Sequence, residues 1–260
     1  MQEQTPLLRS IDDLTGYGIV ARDGEIGSAA DYYFDDQSWT IRYLIADTGG
    51  WLFGRRVLIS PMAFEKADWE NKKLYLSLTK QQIEDSPGID QDEPVSRQFE
   101  ERYYRYYGWA PYWGGSGLWG AGYYPTAVPF GYYAPAVGKE EKDTPENKET
   151  GDPNLRSAKE VIGYTIMGTD DSIGNVRDFI VSDHSWEIQW IVVDTSPWWF
   201  GGNVLIHPGS IREVSWENKS VYVNLTRAQI KNSPEWNRNK PISQEYNARL
   251  LAYYRQNRAA

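Results

Sequence analysis

The chain has no cysteine and only two histidines, three methionines and seven phenylalanines in 260 residues. Without cysteine it has no disulfides, thiolate zinc sites, iron–sulfur ligands or thiol nucleophiles. A reducing compartment fits that composition, so cytoplasmic residence is the expectation, with the inner face of a membrane as a variant of it. No apolar run approaches the roughly 18 residues of a spanning helix, and Met1-Gln2-Glu3-Gln4-Thr5-Pro6 has neither the basic segment nor the apolar stretch of an export signal. Basic side chains are outnumbered 27 to 36, for a formal charge of -9. That surplus repels phosphate backbones and no Lys/Arg cluster offsets it, so nucleic acid is not an expected partner.

What the chain does have is aromatic rings, 19 Tyr and 12 Trp, within a composition that is 40 % hydrophobic and 24 % charged. That is enough apolar material for packed cores, and the length suits two domains better than one. The two domains are one module written twice. Residues 8–107 align with residues 155–254 at a constant offset of 147, without a gap, and roughly 39 of the 100 pairs are identical. Leu8-Arg9-Ser10 returns as Leu155-Arg156-Ser157, Val57-Leu58-Ile59 as Val204-Leu205-Ile206, and Trp69-Glu70-Asn71-Lys72 as Trp216-Glu217-Asn218-Lys219.

Each copy carries the period of strands. Trp39, Ile41, Tyr43 and Ile45 alternate with Thr40, Arg42, Leu44 and Ala46, and Trp186, Ile188, Trp190 and Val192 repeat the pattern, which predicts one side facing a core. Asp23-Gly24 and Asp36-Gln37-Ser38 read as hairpin turns. Short helices follow. Thr79 with Gln82 and Thr226 with Gln229 fit the capping box, Ser86-Pro87 and Ser233-Pro234 stop those helices, and a second amphipathic helix begins after Pro94 and Pro241. Between the copies, 108–138 is a Gly/Tyr/Trp/Pro tract unable to hold long helices or strands, and 139–153 has the composition of a solvated linker.

The run from Leu8-Arg9-Ser10 through Gly16-Tyr17, Asp23-Gly24-Glu25-Ile26-Gly27 and Asp35-Asp36-Gln37-Ser38-Trp39-Thr40-Ile41-Arg42-Tyr43-Leu44 to Val57-Leu58-Ile59-Ser60-Pro61 resembles the PRC-barrel domain. That domain is shared by the photosynthetic reaction centre H subunit and the C-terminal part of a ribosome-maturation factor. The resemblance covers about 80 residues of each copy and implies an all-β barrel of about six strands, usually non-catalytic and often working by contact with proteins. The expected organisation is a tail at 1–7, a repeat at 8–107, a linker at 108–154, a second repeat at 155–254 and a tail at 255–260. Each repeat is expected to be a small barrel with short C-terminal helices, and the linker to be aromatic and Gly/Pro-rich.

No residue constellation points to catalysis. His184 and His207 align with Gln37 and Ser60, so the copies share no histidine base. Asp47 and Asp194 are read as Asx-type acceptors at strand ends rather than catalytic acids, and Asp12-Asp13, Asp35-Asp36 and Asp170-Asp171 as solvated turn carboxylates lacking calcium-loop spacing. No catalytic, cofactor or metal residue is therefore assigned and no cofactor is expected. The candidate protein contacts are loop and tract aromatics: Trp51, Phe53, Trp198, Trp199, Phe200, Trp109 and Trp113. The reading is a non-enzymatic interaction scaffold, with an accessory component of a membrane complex and a ribosome-assembly factor as alternatives. Its partner is an unidentified protein. Pairing of the two barrels within the chain, homo-oligomerisation and peripheral membrane contact stay open beside it.

Overall fold

The computed structural model describes residues 7–52, 55–88, 95–127, 154–196, 202–238 and 240–257. These are mostly β, in two seven-stranded sheets accompanied by short helices. The first sheet is built from β2 (Gly18–Ala21), β3 (Gly24–Asp35), β4 (Thr40–Asp47), β5 (Arg56–Ile59), β6 (Phe64–Asp68) and β7 (Lys73–Leu76), ordered β5-β4-β3-β2-β7-β6. The second contains β9 (Thr165–Met167), β10 (Ser172–Ser182), β11 (Ile188–Asp194), β12 (Asn203–Ile206), β13 (Ile211–Ser215) and β14 (Ser220–Val223), in the corresponding order β12-β11-β10-β9-β14-β13. In both, the first and last strands of the motif pair in parallel, β2 with β7 and β9 with β14, while the other pairs on the path are antiparallel. Neither hydrogen-bonded path closes on itself among the described residues.

The seventh strand of each sheet comes from the other copy. β1 (Leu8–Ser10) pairs antiparallel with β10, while β8 (Leu155–Ser157) pairs with β3. The compact units follow this exchange. One holds the described residues from Leu14 to Arg156 together with His184–Trp186, and is called the first unit below. The second holds those up to Asp13, those of Ser157–Asp183 and those from Glu187 onward. Leu8-Arg9-Ser10, which opens the first copy in sequence, therefore completes the sheet of the second.

Repeated residues explain the repeated geometry. A β-carbon on Gly27 would lie 2.0 Å from the Asp47 carbonyl oxygen, and one on Gly174 would lie 2.3 Å from that of Asp194, so only glycine lets β3 and β10 pass the neighbouring strand end. At the hairpin tips Trp39 (φ 50°) and Trp186 (φ 58°) are left-handed, a conformation that costs an L-residue roughly 1–2 kcal/mol. Burial offsets this. Trp186, 4 % exposed, packs in the first unit against Phe64 at 4.9 Å and Tyr32 at 6.4 Å, and its carbonyl accepts the Ile41 amide at 2.8 Å.

The alternation along β4 does not separate core from solvent as the sequence led us to expect. Every residue of Thr40–Ala46 is buried. The register slips between Tyr33/Tyr43 and Phe34/Ile41, leaving Arg42 as the extra residue of a β-bulge, and the same slip leaves Gln189 extra in β11. A bulge breaks the two-residue period and re-aims a side chain.

Helices form where the capping pattern places them. Thr79 and Gln82 close a complete capping box on α2 (Lys80–Glu84), and Thr226 and Gln229 do the same on α5 (Arg227–Lys231). Asp23 Oδ1 accepts the Lys80 amide at 2.7 Å and Asp170 Oδ1 that of Arg227 at 2.8 Å, tying each helix to a hairpin turn. The second helices, α3 (Arg97–Tyr107) and α6 (Gln244–Gln256), start from Ser96 and Ser243 caps. Each bonds the corresponding strand of its own sheet, β5 or β12, through a tyrosine at a different position: the Tyr103 hydroxyl donates to Leu58 O at 3.3 Å, and the Tyr254 hydroxyl donates to Leu205 O at 2.6 Å.

Within the second unit Asp178, 1 % exposed, holds β1 in place. Its carboxylate accepts the Ser10 hydroxyl at 2.5 Å, the Asp12 amide at 3.1 Å and the Phe179 amide at 2.8 Å. Asp178→Ala leaves these donors unmatched and is expected to cost at least about 2 kcal/mol in denaturant unfolding, since each orphaned buried group costs roughly 1–3 kcal/mol. Asp178→Asn keeps an acceptor for the amides and is expected to cost less. Burial raises the Asp178 carboxyl above its ordinary 3.8, so the folded state holds the proton more tightly than the unfolded chain. Its contribution to stability therefore falls as pH rises from the unfolded value through the raised folded one. The Asp178→Asn chain is expected to show a smaller loss over that rise, measured by denaturant midpoints across the acidic range.

Candidate functional site

The polar residues singled out in the sequence are occupied in local structure. Asp47 Oδ1 accepts the Gly49 amide and Asp194 Oδ1 the Ser196 amide, both at 2.9 Å, as expected of Asx turns at strand ends. His207 Nδ1 accepts the Gly209 amide at 2.9 Å, capping a short helical turn, and the His184 ring lies 6.2 Å from Tyr124 in the first unit. Of the acidic pairs, Asp171 and Asp12 stay solvated, at 59 % and 42 % side-chain exposure, while Asp36 is covered, at 8 %. Asp36 pairs with Arg156 at 2.6 Å, Asp12 with Arg238 at 2.6 Å, and Asp171 with Arg227 at 3.1 Å. Among the described residues no group of three or more His, Asp or Glu could hold a metal ion.

Of the aromatic candidates, Phe53, Trp198, Trp199 and Phe200 lie outside the described residues. Trp51 is half-buried, with the Lys80 ammonium 4.9 Å from its ring centre. Trp109 is 8 % exposed and stacks on Tyr107 at 4.6 Å, with the planes 17° apart. Trp113 is half-buried beside Tyr104 at 5.3 Å, with the Arg97 guanidinium 4.2 Å from its ring centre. The beginning of the tract is thus packed into the first unit rather than standing free.

Arg42 is the reason. The bulge turns its side chain, 3 % exposed, under the tract. The guanidinium lies 3.9 Å from the Tyr112 ring centre and 4.9 Å from that of Trp119, donates to Leu118 O at 2.6 Å and Ser38 Oγ at 2.8 Å, and pairs with Asp35 at 3.3 Å. Cation–π attraction is strongest when the ion is desolvated, as here. Beside it is Glu100 on α3, fully buried, accepting the Tyr43 hydroxyl at 2.7 Å and the Tyr112 hydroxyl at 3.0 Å, with Arg97 at 3.0 Å compensating its charge. Burial, reinforced by the neighbouring carboxylate, pushes both tyrosines up, so they remain hydroxyl donors. In the second unit the aligned residues make the same helix-to-strand link in neutral form, Trp190 Nε1 donating to Asn247 Oδ1 at 2.8 Å.

With those rings committed, the exposed aromatic surface lies elsewhere. The large aromatic side chains exposed among the described residues are Tyr106 (41 %), Tyr123 (71 %) and Tyr124 (59 %), all in the first unit. Tyr106 also lines a cleft of about 390 Å³ with Arg22, Leu78, Gln82, Tyr107 and Trp109. Gln82 O accepts the Tyr106 hydroxyl at 2.9 Å and the Tyr107 hydroxyl at 3.5 Å. Burial pushes Tyr107 up to about 12. The aligned position in the second copy replaces Arg22 with Thr169, and Trp109 lies beyond the end of the repeat, so neither the cation nor the indole belongs to the repeated pattern. Sequence reading missed these tyrosines because tryptophan-rich loops drew attention first. The signal available was the Tyr-Tyr pair beside Pro125 at the end of the glycine-rich stretch.

Comparison with known proteins bears on the second copy. Residues 153–230 match the PRC-barrel domain. That domain points to a protein-interaction or assembly role. No curated protein matches the chain. No helix among the described residues is long and apolar enough to cross a membrane.

Arg42→Gln, which installs the residue type found at the aligned Gln189, is expected to release the tract. Breaking a buried ionic link by removing one partner costs about 3 kcal/mol or more. Thermal unfolding should shift down accordingly, and limited proteolysis of the folded variant should cut within 109–127 faster than in wild type. Unchanged stability and cleavage would show that the guanidinium does not anchor this segment.

Proposed function

We propose that the chain is a non-catalytic interaction scaffold of two PRC-type domains that contacts a partner protein through tyrosines of the first unit. For residues 8–107 as a domain of the same type as the matched one, the support is the gapless repeat and the corresponding strand order of the two sheets. The observation that carries the interaction reading is the placement of Tyr106, Tyr123 and Tyr124, the exposed large aromatics of the described chain, along one stretch running off α3. Tyrosine gives an interface a large rigid ring, one polar tip and a small entropic penalty on ordering, which makes it a recurrent anchor of protein contacts. The polar residues that could have served chemistry are instead occupied as turn acceptors, helix caps and ion pairs.

The divergence of the copies favours the same reading. The cleft of the first unit is lined by Arg22, a position held by Thr169 in the second copy. Contact anchors lose 2 kcal/mol or more when truncated, so replacing Tyr106, Tyr123 and Tyr124 together by serine is expected to reduce partner retention about tenfold or more. The assay is capture from the native cell extract on immobilised full-length chain, quantified protein by protein, with circular dichroism confirming that the variant is folded. Equal retention by the folded variant would overturn the assignment of the surface. Turnover of a substrate by the purified chain would overturn its non-catalytic part.

A further inference from the structure

The exchange of β1 and β8 shows a recognition event made twice with the same residues. In the second unit the edge of β10 takes Leu8-Arg9-Ser10 in the register Leu8↔Ser182, Arg9↔Val181, Ser10↔Ile180. Beyond the strand, the Asp183 amide donates to Leu7 O at 3.0 Å and its carboxylate accepts the Leu7 amide at 2.9 Å. The same carboxylate pairs with Arg9 at 3.4 Å, and Ser10 bonds Asp178. In the first unit the edge of β3 takes Leu155-Arg156-Ser157 in the same manner. The Asp36 amide donates to Asn154 O at 2.9 Å and its carboxylate pairs with Arg156 at 2.6 Å. Asp36 and Asp183 are the same position of the repeat, as are Arg9 and Arg156.

The acceptor edge is therefore a site with a definable ligand. Backbone ladder bonds supply attachment, an aspartate at the start of the hairpin turn selects arginine, and in the second unit the buried Asp178 on the long strand also takes the serine hydroxyl. This is strand addition to a sheet edge, in which the backbone gives affinity and side-chain partners give specificity. Nothing in the site depends on where in a chain the strand originates, because the sheet edges of both units accept the same three residues.

We propose that the β10 edge also accepts Leu8-Arg9-Ser10 from a second copy of this chain, giving a dimer in which two molecules trade their first strands. Three features on the donor side favour trading. β1 is only three residues long, and none of them is fully buried. Leu7 beside it is 55 % exposed, so the apolar area that release uncovers is mainly that of Ile11, 3 % exposed. The hinge is α1 (Ile11–Leu14), a four-residue turn of helix within which the boundary between the two compact units falls. Short hinges invite swapping, and a swapped dimer repeats the contacts of the monomer, so concentration rather than new interactions sets the balance. No disulfide staples the strand, since the chain is free of cysteine.

That absence also makes the test clean. Leu8 and Ser182 are directly opposed in the ladder. Full-length Leu8→Cys chains are mixed with full-length Ser182→Cys chains at high concentration, incubated, diluted and oxidised, and covalent products are read by non-reducing electrophoresis and mass spectrometry. The expected product is a disulfide dimer containing one chain of each kind, with a yield that rises with the incubation concentration. Adding Arg9→Glu to the Leu8→Cys chain, which places a second carboxylate against Asp183, should lower that yield at least about threefold. The double variant Leu8→Cys/Ser182→Cys should close within one chain at low concentration. Closure of the double variant without cross-chain product at any concentration would overturn the proposal, confining the exchange to one molecule. An equal yield when Ser182→Cys is replaced by the exposed-site variant Glu65→Cys would also overturn it, by showing random collision. Failure of the double variant to close would overturn the pairing on which the proposal stands.

Discussion

The first unit depends on the fate of one buried positive charge. Arg42 sits in the middle of a strand whose every neighbour is buried, where an unpaired guanidinium would be prohibitively costly. The extra residue of the bulge lets the strand turn this side chain toward α3 and the tract, where two aromatic faces, a carbonyl, a hydroxyl and a carboxylate surround it. Satisfying the charge requires that the chain after α3 fold back over the sheet. A glycine- and aromatic-rich segment that would otherwise read as a loose connection is therefore packed against the sheet where its residues serve the cation. Tyr112 and Trp119 are consumed by that task, and Tyr123 and Tyr124, a few residues further on, are not.

The second unit solves the same packing problem without charge. Gln189 occupies the bulge, Trp190 replaces Tyr43 and Asn247 replaces Glu100, so the helix is fastened by one neutral hydrogen bond. α3 is followed by the aromatic stretch that packs on Arg42, and the aligned bulge of the second unit holds Gln189 in place of that cation. The two sheets share a strand order and differ in the residue that fills the bulge, and the one with Arg42 carries the outer layer and, with it, the exposed tyrosines.

Local chemistry was readable in advance because it is local. The capping boxes at Thr79 and Thr226, the hairpin turns after Asp23 and Asp36, and the turn-acceptor role of Asp47 and Asp194 each depend on residues within a few positions. Burial of both faces of β4 was not readable, since a bulge leaves no mark in the hydrophobic period and the covering layer comes from residues 76 positions away in the case of Leu118. Trp109 and Trp113 were plausible contact residues by composition alone. Only the position of Arg42 and Arg97 beneath the tract distinguishes rings that pack inward from those that face solvent.

The strand exchange was hidden for a different reason. Leu8-Arg9-Ser10 and Leu155-Arg156-Ser157 are identical, and so are the aspartates that receive their arginines. Residue chemistry is then equally satisfied whether each strand joins the sheet encoded next to it or the sheet of the other copy. What breaks the tie is the connection. β1 leads directly into α1 and then, after one short turn, into β2, so its reach is set by those few residues rather than by the long connection between the copies. Identical acceptor edges combined with a short hinge make the choice of sheet a question of geometry and concentration, and a duplicated sequence with matched edges has no side-chain means of forbidding the strand of another molecule.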